Sequence, residues 1–490
     1  MELEDVTEQQ RIVQALYAEL QARSDRVRLV ETHISFVLLT GEYAYKIKKA
    51  IRLGFLDFRA LASRRFFCEE EVRLNRRLAP ALYLDVVRIT GVASAPVIDG
   101  PGAILEYAVR MREFAQEALL CNVVARGDLA PEHVDALAVR VADFHARTST
   151  SLCDGCLGEP ERVLELALAN FAEIEPRVSD PSDRAVLRAL KAWTGKEYRS
   201  IREALKCRRR DGANRECHGD LHLGNIALID GEITIFDCIE FNESMRWIDT
   251  MSEIAFTVMD LEHRKRSDLA YRFLNAYYEH RGDYAGARVL RFYLVYRAML
   301  RAKVARLRAS QLPDCAAAEA VREEFNDYLR LASSYASDTR AAVVLMHGPS
   351  GTGKTTLSQL LLERTGAIRI RTDVERKRLA GLSADARSES TPGGGLYTAD
   401  STKRTYDQVL VCAEAAVEGG FPALVDAAFL QRWQREAFRG LAARHDVPLL
   451  IVDCVASEAT LKARVAARTL DGNDASEADL AVLAHQLRSA

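Results

Sequence analysis

Two short stretches of this chain carry residue types suited to handling phosphate. In the first, His218-Gly-Asp220-Leu-His222-Leu-Gly-Asn225, an aspartate and an asparagine stand five residues apart. That spacing suits phosphoryl transfer: Asp220 would accept the proton of an attacking hydroxyl, and Asn225 would offer a hard oxygen to Mg²⁺. Twelve residues past Asn225, across a hairpin with "DG" at its turn, Asp237 ends a strand and would supply a second oxygen ligand. His218 is expected to order the loop, while His222 either touches substrate or packs within the loop. Zinc on Cys217, His218 and His222 is disfavoured, because a loop that places Asp220 for this chemistry leaves no tetrahedral set.

The second stretch, Gly348-Pro-Ser350-Gly351-Thr352-Gly353-Lys354-Thr355-Thr356, satisfies the pattern G-x-x-x-x-G-K-[ST] between an apolar strand and a helix. Its glycines let backbone N–H groups turn inward onto phosphate oxygens, and the following helix adds the positive end of its dipole. Lys354 would reach the β- and γ-phosphates of ATP and the Thr355 hydroxyl would bind Mg²⁺. In "RTDVERKR", Asp373 and Arg376 follow a strand and share a helical face. Asp373 is read either as a base toward a substrate hydroxyl, with Arg376 on substrate, or as a helix cap. Asp426, ending the strand of "LVDAAF", is either a carboxylate near Mg²⁺ or a cap. Arg464 and Arg468 are candidates for a lid arginine on the transferring phosphate, Arg468 foremost.

The elements around these stretches follow two grammars. Residues 32–49 read as a β-hairpin, 61–78 as a charged helix, and "DVVRIT" and "PGAILEYAV" as further strands. Helical patterns dominate 130–210 and 247–330, with the hairpin "IALIDGEITIFD" between them. Residues 331–340, "LASSYASDTR", are small and polar and read as a linker. From 341 onward strands and helices alternate, which predicts a parallel sheet with helices on both faces. The domain organisation expected is 1–330, with a small lobe at about 25–110 and a larger helical lobe at 111–330, then the linker, then 341–490.

The sequence HGD-x₄-N, with glycine where protein kinases carry arginine, resembles the aminoglycoside-phosphotransferase and choline-kinase superfamily over roughly residues 25–330. The resemblance implies an α+β bilobal kinase-like fold, with a small-lobe lysine on the α/β-phosphates paired to a helix glutamate. In "YAYKIKK", Lys46 and Lys48 share a strand face, and Lys46 is the one assigned. Among Glu69, Glu70 and Glu71, Glu71 is assigned as its partner. Residues 104–109, in "AILEYAV", would form the hinge that grips adenine. Glu240, Asn242, Arg246 and Asp249 would flank the substrate side, choosing the substrate or bracing the loop. Residues 341 to about 487 resemble small P-loop kinases, among them gluconate- and shikimate-kinase-like enzymes and the phage polynucleotide 5′-kinase. There the pair Asp373-x-x-Arg376 is similar to a base-plus-substrate-anchor pair. The whole chain resembles bacterial fusions of an aminoglycoside-phosphotransferase-like domain with an AAA-type P-loop kinase domain.

Composition narrows the partners. The 490 residues are 48% hydrophobic and 28% charged with a net charge of −3, a soluble globular balance without a field for nucleic acid or anionic membrane. Residues 341–490 carry 18 Lys and Arg against 18 Asp and Glu, so a small hydroxyl compound or a nucleotide end is favoured over a long strand. The start "MELEDVTEQQ" does not read as a signal peptide, and no apolar run spans a bilayer, so a cytoplasmic location is expected. Ten cysteines include one C-x-x-C pair, Cys153 and Cys156, with no second pair at zinc spacing; reduced, mostly buried thiols are expected. The reading is an ATP- and Mg²⁺-dependent phosphotransferase with two sites acting on small-molecule hydroxyls. Its rivals are an ATP-switched binding or regulatory protein and a polynucleotide 5′-hydroxyl kinase.

Overall fold

Alternation of apolar residues builds the first sheet. The structure, a computed structural model, describes residues 2–54, 56–150, 157–311, 316–337, 341–384, 386–388, 394–471 and 476–489. Contacts divide the chain into two units: residues 1–129, 148–158 and 214–253, and residues 130–147, 159–213 and 254–490. The C-x-x-C pair Cys153 and Cys156 lies outside the described residues. Five of the seven cysteines described are buried.

In the first unit, α1 (Glu2–Gln21) precedes β1 (Arg28–Glu31), β2 (Ser35–Leu39) and β3 (Tyr43–Lys48). Then come α2 (Leu61–Asn75), β4 (Tyr83–Val92), β5 (Ala95–Ile98) and β6 (Ile104–Arg112). The six strands form one antiparallel sheet in the order β1-β2-β3-β6-β4-β5. Because successive strand side chains face opposite ways, the sheet buries two apolar sets. Phe36, Leu38 and Ile47 pack with Ile12, Val13 and Leu16 of α1, whereas Leu39, Ala44 and Val109 pack with Cys68 and Val72 of α2. The helix α1 was not expected from the sequence. Further on, β7 (Asn214–Glu216) pairs with β10 (Trp247–Asp249), and β8 (Ile226–Ile229) forms a hairpin with β9 (Glu232–Ile235). Asp230 and Gly231 at its turn both have positive φ, which is why the "DG" pair occurs there.

The second unit begins with helices α3 (Pro131–Arg147), α4 (Pro160–Ile174) and α5 (Pro181–Arg210). Asp180 caps α5 by accepting from the N–H groups of Ser182 and Asp183, with Pro181 at the first helical position. After α6 (Ser267–Arg281), α7 (Ala287–Gln311) and α8 (Ala316–Ser337) comes the strand–helix alternation. Residues 331–337 of the polar run are the last turns of α8, and 338–340 lie outside the described residues.

The alternation comprises β11 (Ala342–His347), α9 (Lys354–Thr365), β12 (Ile368–Arg371) and α10 (Thr372–Leu379). It continues with α11 (Ala399–Glu418), β13 (Pro422–Asp426), α12 (Arg432–Arg444), β14 (Leu449–Asp453), α13 (Glu458–Asp471) and α14 (Leu480–Ser489). The sheet order is β12-β13-β11-β14, with every pairing parallel as the alternation predicts. Among the described residues no helix is long and apolar enough to cross a membrane.

Candidate active sites

In the first unit the loop after β7 carries Asp220, and its geometry rests on a glycine. Gly219 has φ +91°, and a Cβ there would meet the Met245 carbonyl oxygen at 2.7 Å. The Gly219 N–H donates to the buried Glu253 carboxylate at 2.7 Å, so the residue before Asp220 is held from both sides. His218 donates from Nε2 to the Phe236 carbonyl at 2.7 Å, and its Nδ1 accepts from the Asp220 N–H at 3.3 Å. Burial lowers the His218 pKa and keeps the ring neutral, the form this donor–acceptor arrangement needs. Asn225 donates from Nδ2 to Asp220 Oδ2 at 3.0 Å, which leaves its amide oxygen as the atom for a cation. His222 Nδ1 accepts from the Gly224 N–H at 3.0 Å, and its Nε2 lies 3.4 Å from Asp220 Oδ2. His222 thus orients Asp220 as well as packing in the loop.

Asp237 follows β9 with φ +63°, and its N–H donates to the Tyr83 hydroxyl at 3.1 Å. Its carboxylate lies 2.5 Å from the Lys46 ammonium, which also donates to Glu71 at 2.8 Å. Burial alone would favour a neutral amine, but Asp237 and Glu71 outweigh it and raise the Lys46 pKa well above the ordinary lysine value. Asn75 ties α2 to this loop, accepting from the Cys238 N–H at 2.9 Å and donating to the Glu71 carbonyl at 2.9 Å. Lys46 therefore contacts both Glu71 and Asp237, and Asp220 contacts Asn225. Burial pushes the thiols of Cys68 and Cys238, which border this network, up to about 12, so both are unreactive.

Lys48 is fully buried, donates to Glu71 at 2.7 Å and pairs with Glu240. Two lysines thus share one glutamate, an arrangement that the strand spacing allows but does not require. Of the two roles open to Glu240, Asn242, Arg246 and Asp249, choosing the substrate or bracing the loop, the contacts seen are bracing ones. Glu240 faces Lys48, and Arg246 is buried against Glu216 at 3.2 Å and the Glu240 carbonyl at 3.2 Å. Asn242 and Asp249 accept from the N–H groups of Ser244 and Met251 at helix starts. The hinge expected at 104–109 is corrected: these residues are strand interior, paired with β4 from Ile104 through Val109. Glu106 there is buried against Arg64 and Gln9. Gln9 further donates to the Lys48 carbonyl at 2.7 Å and accepts from the Ala50 N–H at 2.8 Å, holding the end of the lysine strand. Gln9, Asn75, Tyr83 and Glu253 carry no local sequence signal; only their distant partners make them functional candidates.

The second site is built in the other unit where β11 runs into α9. Gly348, Gly351 and Gly353 have φ of +132°, +87° and +91°. A Cβ on Gly348 would meet the Cys454 carbonyl oxygen at 2.4 Å, and one on Gly351 the Leu461 carbonyl oxygen at 3.0 Å. Lys354 donates to the carbonyls of Gly348 and Pro349, each at 2.8 Å, and burial lowers its pKa. The Thr355 hydroxyl donates to Asp426 at 2.8 Å, which places the β13 carboxylate beside the expected metal-binding hydroxyl. Asp426 does not act as a simple helix cap, since α12 is capped by the Gln431–Gln434 box.

Asp373 and Arg376 border the same cavity of about 770 Å³, together with Lys354, Tyr397, Trp433 and Arg468. The Arg376 guanidinium stacks 4.7 Å above the Tyr397 ring, and its buried Nε has no hydrogen-bond partner among the described residues. Arg464 donates to the Gly351 carbonyl at 3.3 Å and Arg468 to the Ala478 carbonyl at 2.7 Å. One contact had no sequence signal: the Ser350 N–H donates to Gln486 Oε1 of α14 at 2.8 Å.

Both sites fit Mg²⁺ and a nucleotide phosphate chain. In the first, Glu71, Asp237 and Glu240 pair with the two lysines, while the Asn225 amide oxygen and the Asp220 and Asp237 carboxylates offer hard oxygens suited to a divalent cation. In the second, a side chain on Gly348 or Gly351 would collide with the Cys454 or Leu461 carbonyl, so the loop that lines the cavity with Lys354 and Thr355 needs glycine at both positions. Bound Mg²⁺ would neutralise phosphate charge; the chain's own lysines, amides and carboxylates orient the groups around it.

Comparison with known proteins finds two family matches, the first of which spans residues of both compact units. Residues 67–293 match the phosphotransferase enzyme family and residues 343–490 match an AAA domain. The chain is 32% identical over 455 residues to uncharacterized proteins of Mycobacterium tuberculosis and Mycobacterium bovis, covering 93% of this chain and 89% of each relative. Among solved structures it is similar to a choline kinase from Cryptosporidium parvum at 11% identity and a TM-score of 0.39, covering 63% of this chain and 89% of that one. An aminoglycoside phosphotransferase from Alicyclobacillus acidocaldarius is similar at 14% identity and a TM-score of 0.37, covering 63% and 90%. With its kinase-like α+β region followed by a P-loop region on a parallel sheet, the chain belongs to the family of these mycobacterial proteins and is an enzyme of the kinase type.

Proposed function

We propose that the protein is an ATP- and Mg²⁺-dependent phosphotransferase with two nucleotide sites, acting on hydroxyl groups of small molecules. The observation that carries this reading is the Lys46 ammonium held between Glu71 and Asp237 while Asp220 contacts Asn225. In the first site Lys46 orients the phosphates, Asn225 and Asp237 hold Mg²⁺, and Asp220 takes the acceptor's proton. In the second, Lys354 and the loop from Gly348 to Thr356 hold the phosphates. There Thr355 and Asp426 serve the metal, Asp373 is the base, Arg376 engages the acceptor and Arg468 the transferring phosphate. The stacked and under-bonded Arg376 suits an acceptor that carries an anionic group beside its hydroxyl. The preference for small acceptors over nucleic acid follows from the charge balance of residues 341–490.

A second reading, in which the P-loop site senses nucleotide without turnover, has one observation in its favour. The Ser350 amide is satisfied by Gln486, so a phosphate seated there would displace that side chain and disturb α14. The test is a metabolite extract incubated with ATP, comparing the unmutated protein with Asp220→Ala and Lys354→Ala. Two phosphorylated products, each lost in one variant, are expected. A single product lost only with Asp220→Ala supports the sensing role. No product with any extract, or a response confined to 5′-hydroxyl oligonucleotides, overturns the small-molecule reading.

A further inference from the structure

The P-loop site receives a side chain from outside its own sequence region. Glu279 lies on α6, within the residues matched to the phosphotransferase family, yet in the same compact unit as the P-loop sheet. Its carboxylate accepts from Arg369 Nε at 2.7 Å and lies 3.6 Å from Arg371 NH1. Arg369 and Arg371 are two residues apart on β12 and therefore share a face. Arg371 Nε lies 3.9 Å from Asp426 Oδ2, the oxygen that accepts from Thr355. Arg371 is thus held between two carboxylates, at ion-pair range of each and without a hydrogen bond to Asp426.

This contact is anchored. β12 is an edge strand, and Asn275, one turn before Glu279 on α6, satisfies it as another strand would. Asn275 accepts from the Arg369 N–H at 2.6 Å and donates to the Ala367 carbonyl at 3.0 Å. Arg378 of α10 donates to the Glu279 carbonyl at 2.6 Å at the end of the same helix. Glu279 is consequently fixed relative to β12 by backbone-level bonds rather than by the ion pair alone.

We propose that Glu279 is a positioning residue for the metal-binding carboxylate of the P-loop site, holding Arg371 off Asp426 so that Asp426 can serve Mg²⁺. The inference rests on the reading of Asp426 and Thr355 as Mg²⁺ residues. Without the Glu279 charge, Asp426 is the carboxylate that stays within ion-pair range of Arg371. Arg371 then closes its 3.9 Å separation and competes with the cation for that oxygen. The local field also becomes more positive, which opposes a divalent ion further.

The experiment is Mg²⁺-dependent binding of a fluorescent ATP analogue to the full chain, taking the part of the signal that Lys354→Ala abolishes. Glu279→Gln, which keeps the side chain's shape, is expected to raise the half-saturating Mg²⁺ concentration roughly tenfold. Binding of the analogue in EDTA should change less than twofold, because the phosphate cradle is untouched. Adding Arg371→Gln to Glu279→Gln should bring the Mg²⁺ midpoint back toward that of the parent, a recovery that a purely structural role for Glu279 would not produce. Thermal unfolding of each variant checks that it is folded, and Glu279→Asp, which keeps the charge, is expected to stay within about threefold of the parent. An unchanged midpoint in Glu279→Gln, or a deeper loss in the double variant, overturns the inference. Absence of any Lys354-dependent signal in the parent instead removes the P-loop reading on which it rests.

Discussion

The two candidate sites solve the same electrostatic problem with different materials. In the first unit, charge on phosphate would be met by side chains drawn from distant positions: Lys46 from a strand, Glu71 from a helix, Asp237 from a hairpin end. In the second, one contiguous loop from Gly348 to Thr356 would supply most of the contacts through backbone amides, with Asp426 as the distant addition. A site made of side chains depends on the packing that aims them. A site made of backbone depends on glycine conformations that are local. The first should therefore fail through lost charge partners and the second through changes in the loop and what covers it.

The sharpest way to break the comparison is Asp220→Ala. Loss of a positioned base is expected to cost about 10²–10⁴-fold in the first site's turnover while leaving Lys354-dependent nucleotide binding unchanged, measured by product formation and by titration. Lys48→Met comes next. It strands Glu240 without its buried cation and leaves Glu71 to Lys46 alone, and chemical denaturation should show a loss of roughly 3–5 kcal/mol. Gly219→Ala should lower first-site turnover by about a hundredfold with an unchanged circular dichroism spectrum, because the added methyl group meets the Met245 carbonyl and moves Asp220.

Acid should separate the units too. Lys46 and Lys48 outweigh burial and lower the Glu71 pKa below its ordinary 4.5. A depressed carboxylate stabilises the fold above its unfolded pKa, and the contribution drains away as pH falls from that value through the folded one. Denaturation midpoints between about pH 7 and about pH 3 should fall less steeply in Glu71→Gln than in the parent. Glu240 works against this trend, since burial raises its pKa. The smallest effect expected is a gain: Gln486→Ala frees the Ser350 amide and should tighten nucleotide binding at the P-loop about fivefold, the worth of one hydrogen bond.

Much of this was legible before the fold was known, for a physical reason. Asp220 and Asn225, and the residues from Gly348 to Thr355, lie within single turns of chain, so spacing alone constrains their geometry. The parallel sheet of residues 342–453 was legible from strand–helix alternation for the same reason. The choice of Glu71 among three neighbouring glutamates coincides with the one that faces Lys46, a consequence of the helix turn that buries Glu71 and leaves Glu69 at the surface. The hinge at 104–109 did not survive, because it depended on where a strand ends, and spacing left Glu240 and Arg246 open between substrate contact and bracing, because that depends on which way the chain turns after Asp237.

The sequence by itself determined the chemistry at hand: two patterns suited to phosphate, an aspartate proposed as base with its amide neighbour, and the order of an α+β region before an α/β one. Only the tertiary structure decided which charges oppose which. Lys48 is a buried cation shared by Glu71 and Glu240, Gln9 secures the lysine strand from α1, and Glu279 reaches Arg371 from outside the P-loop region. Glutamate, glutamine and lysine are common surface residues whose periodicity resembles any solvated face. Their roles arise only when folding removes them from water and leaves a few fixed partners within reach.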